Sequence, residues 1–367
     1  MKAGIYIHVP YCLSKCNYCD FYSVINYEIN NYHIYLINEL KSIKNNWNNI
    51  VFDTLYFGGG TPSLLKANQI NYIINEIKLL LNTNLVEITI EVNPEDINYD
   101  YINELKTTEI NRISIGIQSL NNSVLSCFGR RHDRKKALNS IKSLTSNYNN
   151  VSIDIIYGYQ NHSIKNFENE LDLLLETNVQ HISAYNLTIS ENTKFYKESL
   201  MGNYLLASDD ISYNLYNMLI NKLKQNNFYQ YEISNFAKIN YHSLHNSKYW
   251  KLVPYLGLGP SAHSFNNNIR YWNNSNIDNY INGNYSKEEE ELSKIELINE
   301  LIMNSLRTTS GINIKYFEKI AGKERSVDFQ KKISQFIPKK VNKTTSGYSL
   351  NTEGMFISDY IISKLFI

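Results

Sequence analysis

The stretch Tyr11-Cys-Leu-Ser-Lys-Cys-Asn-Tyr-Cys-Asp20 gathers three of the chain's four cysteines, Cys12, Cys16 and Cys19, into eight residues. Four cysteines scattered over 367 positions would almost never bunch this way. Three residues and then two separate them, a spacing that lets three thiolates of one loop converge on one cubic iron–sulfur cluster. A full protein ligand set for such a cluster is four cysteines. With three, one iron is left open. It can chelate a small molecule through an amine and a carboxylate, as the methionyl end of S-adenosylmethionine (SAM) does.

This spacing resembles that of the radical SAM enzymes, and the chain is identified as a member. The competing use of a short cysteine cluster is structural zinc, which is normally closed by four Cys or His ligands. Zinc sites more often pair cysteines two to four apart with a second pair further along. Here Cys127 stands alone, and the sequence predicts it to be a small buried residue. His8 keeps a Cys3His zinc site open as the alternative.

At 367 residues the chain suits a large catalytic domain plus a small appendage. Its 36 basic and 35 acidic residues nearly cancel, so no global field argues for nucleic acid. Few, clustered cysteines point to a reducing cytosol rather than a disulfide-built secreted protein. The start of the chain reads as neither a signal peptide nor a membrane span, because His8, Pro10 and Cys12 break its apolar run. Thirty tyrosines, with abundant Asn, Ile and Lys, fit an AT-rich coding bias, so the Asn-rich runs carry no function. Glycine is scarce at 15 residues, which makes Gly58-Gly59-Gly60 informative.

Short β-rich runs alternate with helical patterns. Strands are predicted at Gly4–Val9, Thr54–Phe57, Val86–Glu91, Arg112–Ile117, Val151–Tyr157 and His181–Leu187. Helix-length segments such as Asn31–Lys44, Ala67–Leu81, Arg134–Leu144 and Ile164–Glu176 lie between them. Leu171, Leu174 and Leu175 show the spacing of a helix packed on a sheet. Six βα units imply a parallel α/β sheet with helices outside, as an open partial (β/α)6 barrel. After Leu187 the pattern predicts a long helix at Asp209–Gln225 and an extended Phe228–Phe236. The acidic run Glu288–Glu291 is expected to open a mainly helical, winged-helix-like C-terminal domain. The division is drawn at residues 1–270 and 271–367. Lys331, Lys332, Lys339, Lys340 and Lys343 read as a solvated face.

Barrels of this kind place chemistry at the C-terminal ends of their strands. The cysteine loop follows the first strand, and Gly58-Gly59-Gly60-Thr61-Pro62 follows the second. Glu91 ends the third, Gln118 follows the fourth, Asp154 lies in the fifth, and Tyr185 and Asn186 near the end of the sixth. The glycine turn offers backbone amides and close approach, suited to the methionine end of a cofactor. Glu91 and Asp154 suit ribose hydroxyls or an ammonium group. Gln118 can donate and accept, and Arg130 can clamp a carboxylate. Tyr6 reads equally as a core aromatic.

Gly4-Ile-Tyr-Ile-His-Val-Pro-Tyr-Cys12, Phe57-Gly-Gly-Gly-Thr-Pro62, Glu91-Val-Asn-Pro-Glu95 and Asp154-Ile-Ile-Tyr-Gly158 resemble motifs of the oxygen-independent coproporphyrinogen III oxidase family. The resemblance implies a [4Fe–4S] cluster on Cys12, Cys16 and Cys19. It also implies SAM contacts at Tyr6, Gly59, Gly60, Thr61, Glu91, Gln118, Arg130 and Asp154. True oxidases carry a further cysteine two residues after the third, where this chain has Phe21. That departure is similar to the HemW-type branch of haem chaperones. His245-Asn-Ser-Lys-Tyr249-Trp250 fits that branch's His-Asn-x-x-Tyr-Trp signature, which is associated with haem. A neutral imidazole can ligate haem iron, and Tyr249 and Trp250 can lie against a flat porphyrin.

The resemblance therefore implies haem as cargo, with haem proteins such as respiratory enzymes as recipients. It implies a flavodoxin or ferredoxin as electron donor, and a cytoplasmic setting with docking at the membrane left open. Conversion of coproporphyrinogen III to protoporphyrinogen IX is the alternative activity.

Overall fold

Six parallel strands carry the architecture: β1 (Ala3–Val9), β2 (Phe52–Gly59), β3 (Thr83–Val92), β4 (Arg112–Gln118), β5 (Val151–Tyr157) and β6 (His181–Asn186). They pair in sequence order, each hydrogen-bonded to the next. The computed structural model of the chain describes residues 2–25 and 27–367. As the βα rhythm predicts, helices such as Tyr32–Ile43, Ala67–Leu80, Arg134–Thr145 and Ile164–Leu175 fill the crossovers. The last of these buries Phe167, Leu171 and Leu174, and Ser163 caps it by accepting the Asn166 N–H. Full burial of one such leucine contributes about 1.5–3 kcal/mol.

The two faces of the strands differ in kind. Ile5, Ile7, Leu55, Phe57, Ile90, Ile113, Ile115 and Ile153 are fully buried in the outer core beneath the helices. The alternate positions form the inner face: Tyr6 and His8; Thr54 and Tyr56; Glu87, Thr89 and Glu91; Arg112 and Ser114; Ser152 and Asp154; His181, Ser183 and Tyr185. Side chains alternate faces along a strand, so a chain that reads as apolar runs also carries a polar lumen. Closed barrels of this class fill the same space with branched apolar residues.

The sheet continues beyond the barrel on both edges. On the far side of β6 lies a short hairpin, β7 (Tyr229–Gln230) and β8 (Asn235–Ala237), where a single extended run was expected. On the far side of β1 come β9 (Tyr255–Leu258), β10 (His263–Asn266), β11 (Ile269–Asn273) and β12 (Lys287–Glu291). The acidic run 288–291, expected to open the helical segment, is instead the edge strand β12, paired antiparallel with β11. A row of charged side chains is a common guard on an exposed edge, and it hides the alternation that marks a strand. Position 270 falls inside β11, and the extension runs on to Glu291.

The C-terminal part begins at a capping box, in which Ser293 and Glu296 satisfy each other's backbone amides ahead of the helix Lys294–Leu306. Next come β13 (Ile312–Asn313), helices Ile314–Ala321 and Lys323–Ser334, and a hairpin of β14 (Val341–Lys343) and β15 (Gly347–Leu350). The small sheet has the order β13-β15-β14, a winged-helix-like arrangement. Two short helices, Thr352–Phe356 and Ser358–Leu365, end the chain. Among the lysines here, Lys332 pairs with Asp328 and Lys340 with Glu353 on the exposed surface. Among the described residues no helix is long and apolar enough to cross a membrane.

Candidate functional site

The cysteine loop is pinned from several sides. At its base the Cys12 N–H donates to Val24 O at 2.9 Å, and the Val24 N–H donates to Pro10 O at 2.7 Å. Midway, Asn17 donates from its backbone to Phe128 O (2.9 Å) and from its side chain to Cys127 O (2.7 Å). The Phe195 N–H in turn donates to Asn17 O at 3.0 Å. Cys127, expected to be buried, is exposed. It closes the helix Asn122–Cys127, whose core contact is made by Leu125 instead.

Cys12, Cys16 and Cys19 share one cavity of about 540 Å³ with Gly59, Gly60, Thr61, Glu91, Gln118, Arg130 and Asp154. Ten of the predicted site residues thus meet in one place. Burial pushes the Cys19 thiol up to about 11 and raises that of Cys12. Two donors oppose thiolate charge there: Thr61 Oγ1 lies 3.4 Å from Cys12 Sγ, and Arg130 Nη1 lies 3.6 Å from Cys16 Sγ. A cationic iron would deprotonate the thiols outright. This donor set, three thiols facing an open chamber, fits a cluster with one iron left for a small ligand.

It does not fit the zinc alternative. Structural zinc is normally closed by a fourth ligand, and the cysteine loop supplies three thiols. His8 is occupied elsewhere: Nε2 lies 2.9 Å from Tyr22 O and Nδ1 lies 3.2 Å from the Tyr6 hydroxyl. Burial holds its pKa down at about 4.

Gly59 has φ of 110°, and an added Cβ would lie 2.7 Å from the His8 ring. Only glycine fits that backbone and that approach. Its N–H donates to Glu91 Oε2 at 3.2 Å, and the Tyr56 hydroxyl donates to Oε1 at 2.8 Å. Burial pushes the Glu91 carboxyl up to about 7 against these two donors. Asp154 is likewise raised by burial, and the Ser114 hydroxyl lies 3.2 Å from both its oxygens. Arg130 Nη2 donates to Asn93 Oδ1 and to Gly116 O, each at 2.8 Å, and its Nε is buried without a partner. Gln118 ends β4 with φ of 66°, a left-handed conformation, at a register shift against β5. The cavity can therefore take a ligand that carries cationic, hydroxyl and carboxylate groups together.

Tyr6 does not join this set. It lines a second cavity of about 640 Å³, which shares Phe21, Gly59, Glu91, Tyr185, Asn186 and Thr188 with the first. This second chamber is walled by Tyr6, Tyr56, His245, Tyr249 and Trp250 on one side and by the Glu232–Asn235 turn on the other. Arg307, Met355, Phe356 and Asp359 of the C-terminal part close it. Phe21, the residue standing in the place of a cysteine, is 67% exposed and faces both chambers.

His245 is 1% exposed, in the helix Leu244–Tyr249. Glu87 fixes that helix by accepting the Leu244 and His245 N–H groups at 2.9 and 2.8 Å. The ring has both nitrogens engaged: Nδ1 is 3.0 Å from Thr54 Oγ1, and Nε2 is 2.9 Å from the Tyr249 hydroxyl. Burial pushes its pKa down to about 3, so the imidazole is neutral. Ligation of iron through Nε2 would require Tyr249 to move. Gly4 leaves room for the ring, since a Cβ there would lie 3.0 Å from it.

Sequence reasoning missed Asn93, Ser114 and Tyr56. A signal for the last two was present: they fall two residues from Arg112 and Thr54, on the alternating polar face of β4 and β2. Arg307 and Glu232 carried no local signal.

A sequence model of the Radical SAM superfamily matches residues 6–174. The protein named Heme chaperone HemW from Buchnera aphidicola subsp. Schizaphis graminum is 35% identical over 360 residues, spanning 95% of this chain and 92% of its own length. Its namesake from Bacillus subtilis is 30% identical over 338 residues, spanning 89% of this chain and 88% of its own. Among solved structures, the coproporphyrinogen III oxidase HemN from Escherichia coli, a radical SAM enzyme, superposes with a TM-score of 0.83 at 19% identity. That match covers 100% of this chain and 90% of the oxidase, and it is a likeness of fold. Identity spread over nearly the whole length, with the cysteine loop and the barrel it sits on, makes the chain a member of the HemW family within the radical SAM superfamily.

Proposed function

We propose that the protein is a haem chaperone that holds a [4Fe–4S] cluster and SAM in one chamber and haem in the next, and passes haem to haem proteins. The observation that carries this reading is the pair of contiguous cavities with a shared wall, one lined by thiols and carboxylates and the other by aromatic rings. Bound together, cluster and SAM supply one-electron reduction of a sulfonium.

The chain's own residues do the rest. Cys12, Cys16 and Cys19 hold the cluster, and Thr61 and Arg130 balance sulfur charge. The Gly59–Gly60 turn would receive the SAM methionyl end. Glu91 and Asp154 take its ammonium and ribose hydroxyls, with Gln118 and Arg130 on its remaining polar groups. Tyr6, whose ring lies against Gly58, borders this site from the second chamber.

In the second chamber Tyr249 and Trp250 offer faces to a porphyrin, and His245 is the ligand for its iron once Tyr249 releases Nε2. Residues 1–270 carry these sites, and residues 271–367 close the haem chamber. The protein acts in the cytoplasm, receives electrons from a flavodoxin or ferredoxin, and meets recipients that include membrane respiratory enzymes.

Phe21 speaks against coproporphyrinogen oxidation, since it supplies an apolar ring where the oxidases carry a thiol. The test is anaerobic titration of the cluster-reconstituted protein with haem, read by ultraviolet–visible spectra, beside a coproporphyrinogen III turnover assay. Stoichiometric haem uptake without protoporphyrinogen is expected. Turnover without haem uptake would make the chain an oxidase.

A further inference from the structure

The second chamber is walled mainly by aromatic and neutral polar side chains, and its lining holds one lysine or arginine, Arg307. Arg307 closes the helix Lys294–Leu306, and its carbonyl accepts the Ile233 N–H at 3.1 Å, so it is fixed to the opposite wall. Its guanidinium is only partly used. Nη2 donates to Asp359 Oδ1 at 2.5 Å, while Nε is buried without an acceptor. The pair is uneven: the Arg307 side chain is 28% exposed and that of Asp359 is 80% exposed.

A guanidinium presents parallel N–H groups that match a carboxylate bidentately. A buried donor left without an acceptor is costly, whereas a pair with a carboxylate in water is held weakly. The other charged groups on this wall, Glu91, Glu232 and Asp359, are carboxyls that would repel an anionic ligand. A flat ligand with a carboxylate at its rim therefore has one place to put that charge.

We propose that Arg307 anchors a propionate carboxylate of the tetrapyrrole, and that Asp359 holds the same guanidinium when the chamber carries no cargo. This rests on the haem reading above. Cargo entry then exchanges one carboxylate for another. The proposal distinguishes haem from its esters and makes Asp359 a competitor rather than a support.

The experiment compares haemin with haemin dimethyl ester on full-length, cluster-reconstituted protein as wild type, Arg307→Ala and Asp359→Ala. Arg307→Ala is expected to weaken haemin about tenfold or more, the loss of one charge-assisted interaction, and to leave the diester unchanged. Asp359→Ala is expected to tighten haemin and leave the diester unchanged, and its exposed position guards against a folding defect. If both variants weaken haemin equally, the pair is only a structural latch and the proposal fails while the haem reading stands. The proposal fails in the same way if Arg307→Ala discriminates the diester as well as wild type does. If wild type takes up no haemin, the haem reading itself falls and the proposal with it.

Discussion

The Gly59 N–H donates to Glu91 Oε2 at 3.2 Å, which ties the end of β3 to the end of β2, where the glycine turn begins. The bond joins two residues 32 positions apart that were assigned to the same ligand on separate grounds. It gives the turn a fixed shape and turns a half-buried carboxyl toward the chamber that also holds the cysteines.

Gly59→Ala should damage both stability and cofactor binding. The added Cβ meets His8 at 2.7 Å and must accept φ of 110°. Strain of this kind costs about 1–3 kcal/mol. Urea unfolding should show a loss of that size, and equilibrium dialysis should show SAM binding abolished. Wild-type values for both would mean that the turn is slack.

The four cysteines should divide three to one. Alanine at Cys12, Cys16 or Cys19 is expected to reduce iron and sulfide content after anaerobic reconstitution to a small fraction of wild type. Cys127→Ala is expected to leave both unchanged, because Cys127 contributes only its carbonyl to the loop. Loss of the cluster in Cys127→Ala would require a different ligand set.

Gly4→Ala tests whether the placement of His245 matters. The new methyl would lie 3.0 Å from His245 Cε1 and Nδ1 and from Thr54 Oγ1, displacing a ring with bonds on both nitrogens. Overpacking of this degree costs about 1–3 kcal/mol. Haem titration should show weakened uptake alongside that loss. Full stability with full uptake would show that the ring has room to shift without consequence.

Glu232 gives stability a pH slope. Burial pushes its carboxyl from 4.5 up to about 7, against the Ser234 N–H. The native state therefore keeps a proton that the unfolded chain releases earlier. The stability this contributes is fully present below about pH 4.5 and is lost as pH rises through about 7. The loss totals about 3 kcal/mol at about 1.4 kcal/mol per pH unit. Glu232→Gln should remove that share of the slope between pH 5 and pH 8 in urea unfolding. Glu91 tilts the profile in the same sense, while the buried neutral His8 and His245, which the unfolded chain protonates more readily, tilt it the other way, so the share of Glu232 is read from the difference between the two proteins. Equal slopes in the two proteins would show that Glu232 is solvated.

Much of the first chamber was legible because its residues sit at one end of consecutive strands, where a βα pattern fixes their neighbours. Cys12, Gly59, Glu91, Gln118 and Asp154 needed only that pattern to be placed together. The second chamber was not legible in this way. Glu87 caps a helix 157 positions later, and Arg307 meets Asp359 across 52 positions, pairings that no local spacing announces. The 288–291 edge strand escaped for another reason, since four glutamates in a row show no alternation. Tyr6, a SAM contact by the resemblance, bonds His8 through its hydroxyl and lines the second chamber beside Gly59 and Glu91, which both chambers share.

The polar lumen has a consequence for the order in which the protein is built. The main apolar core lies outside the strands, between sheet and helices, while the polar alternate positions line the interior. Folding is thus expected to precede cluster insertion: the cluster-free chain should keep its far-ultraviolet circular dichroism, because the core that holds its helices does not include the cysteines.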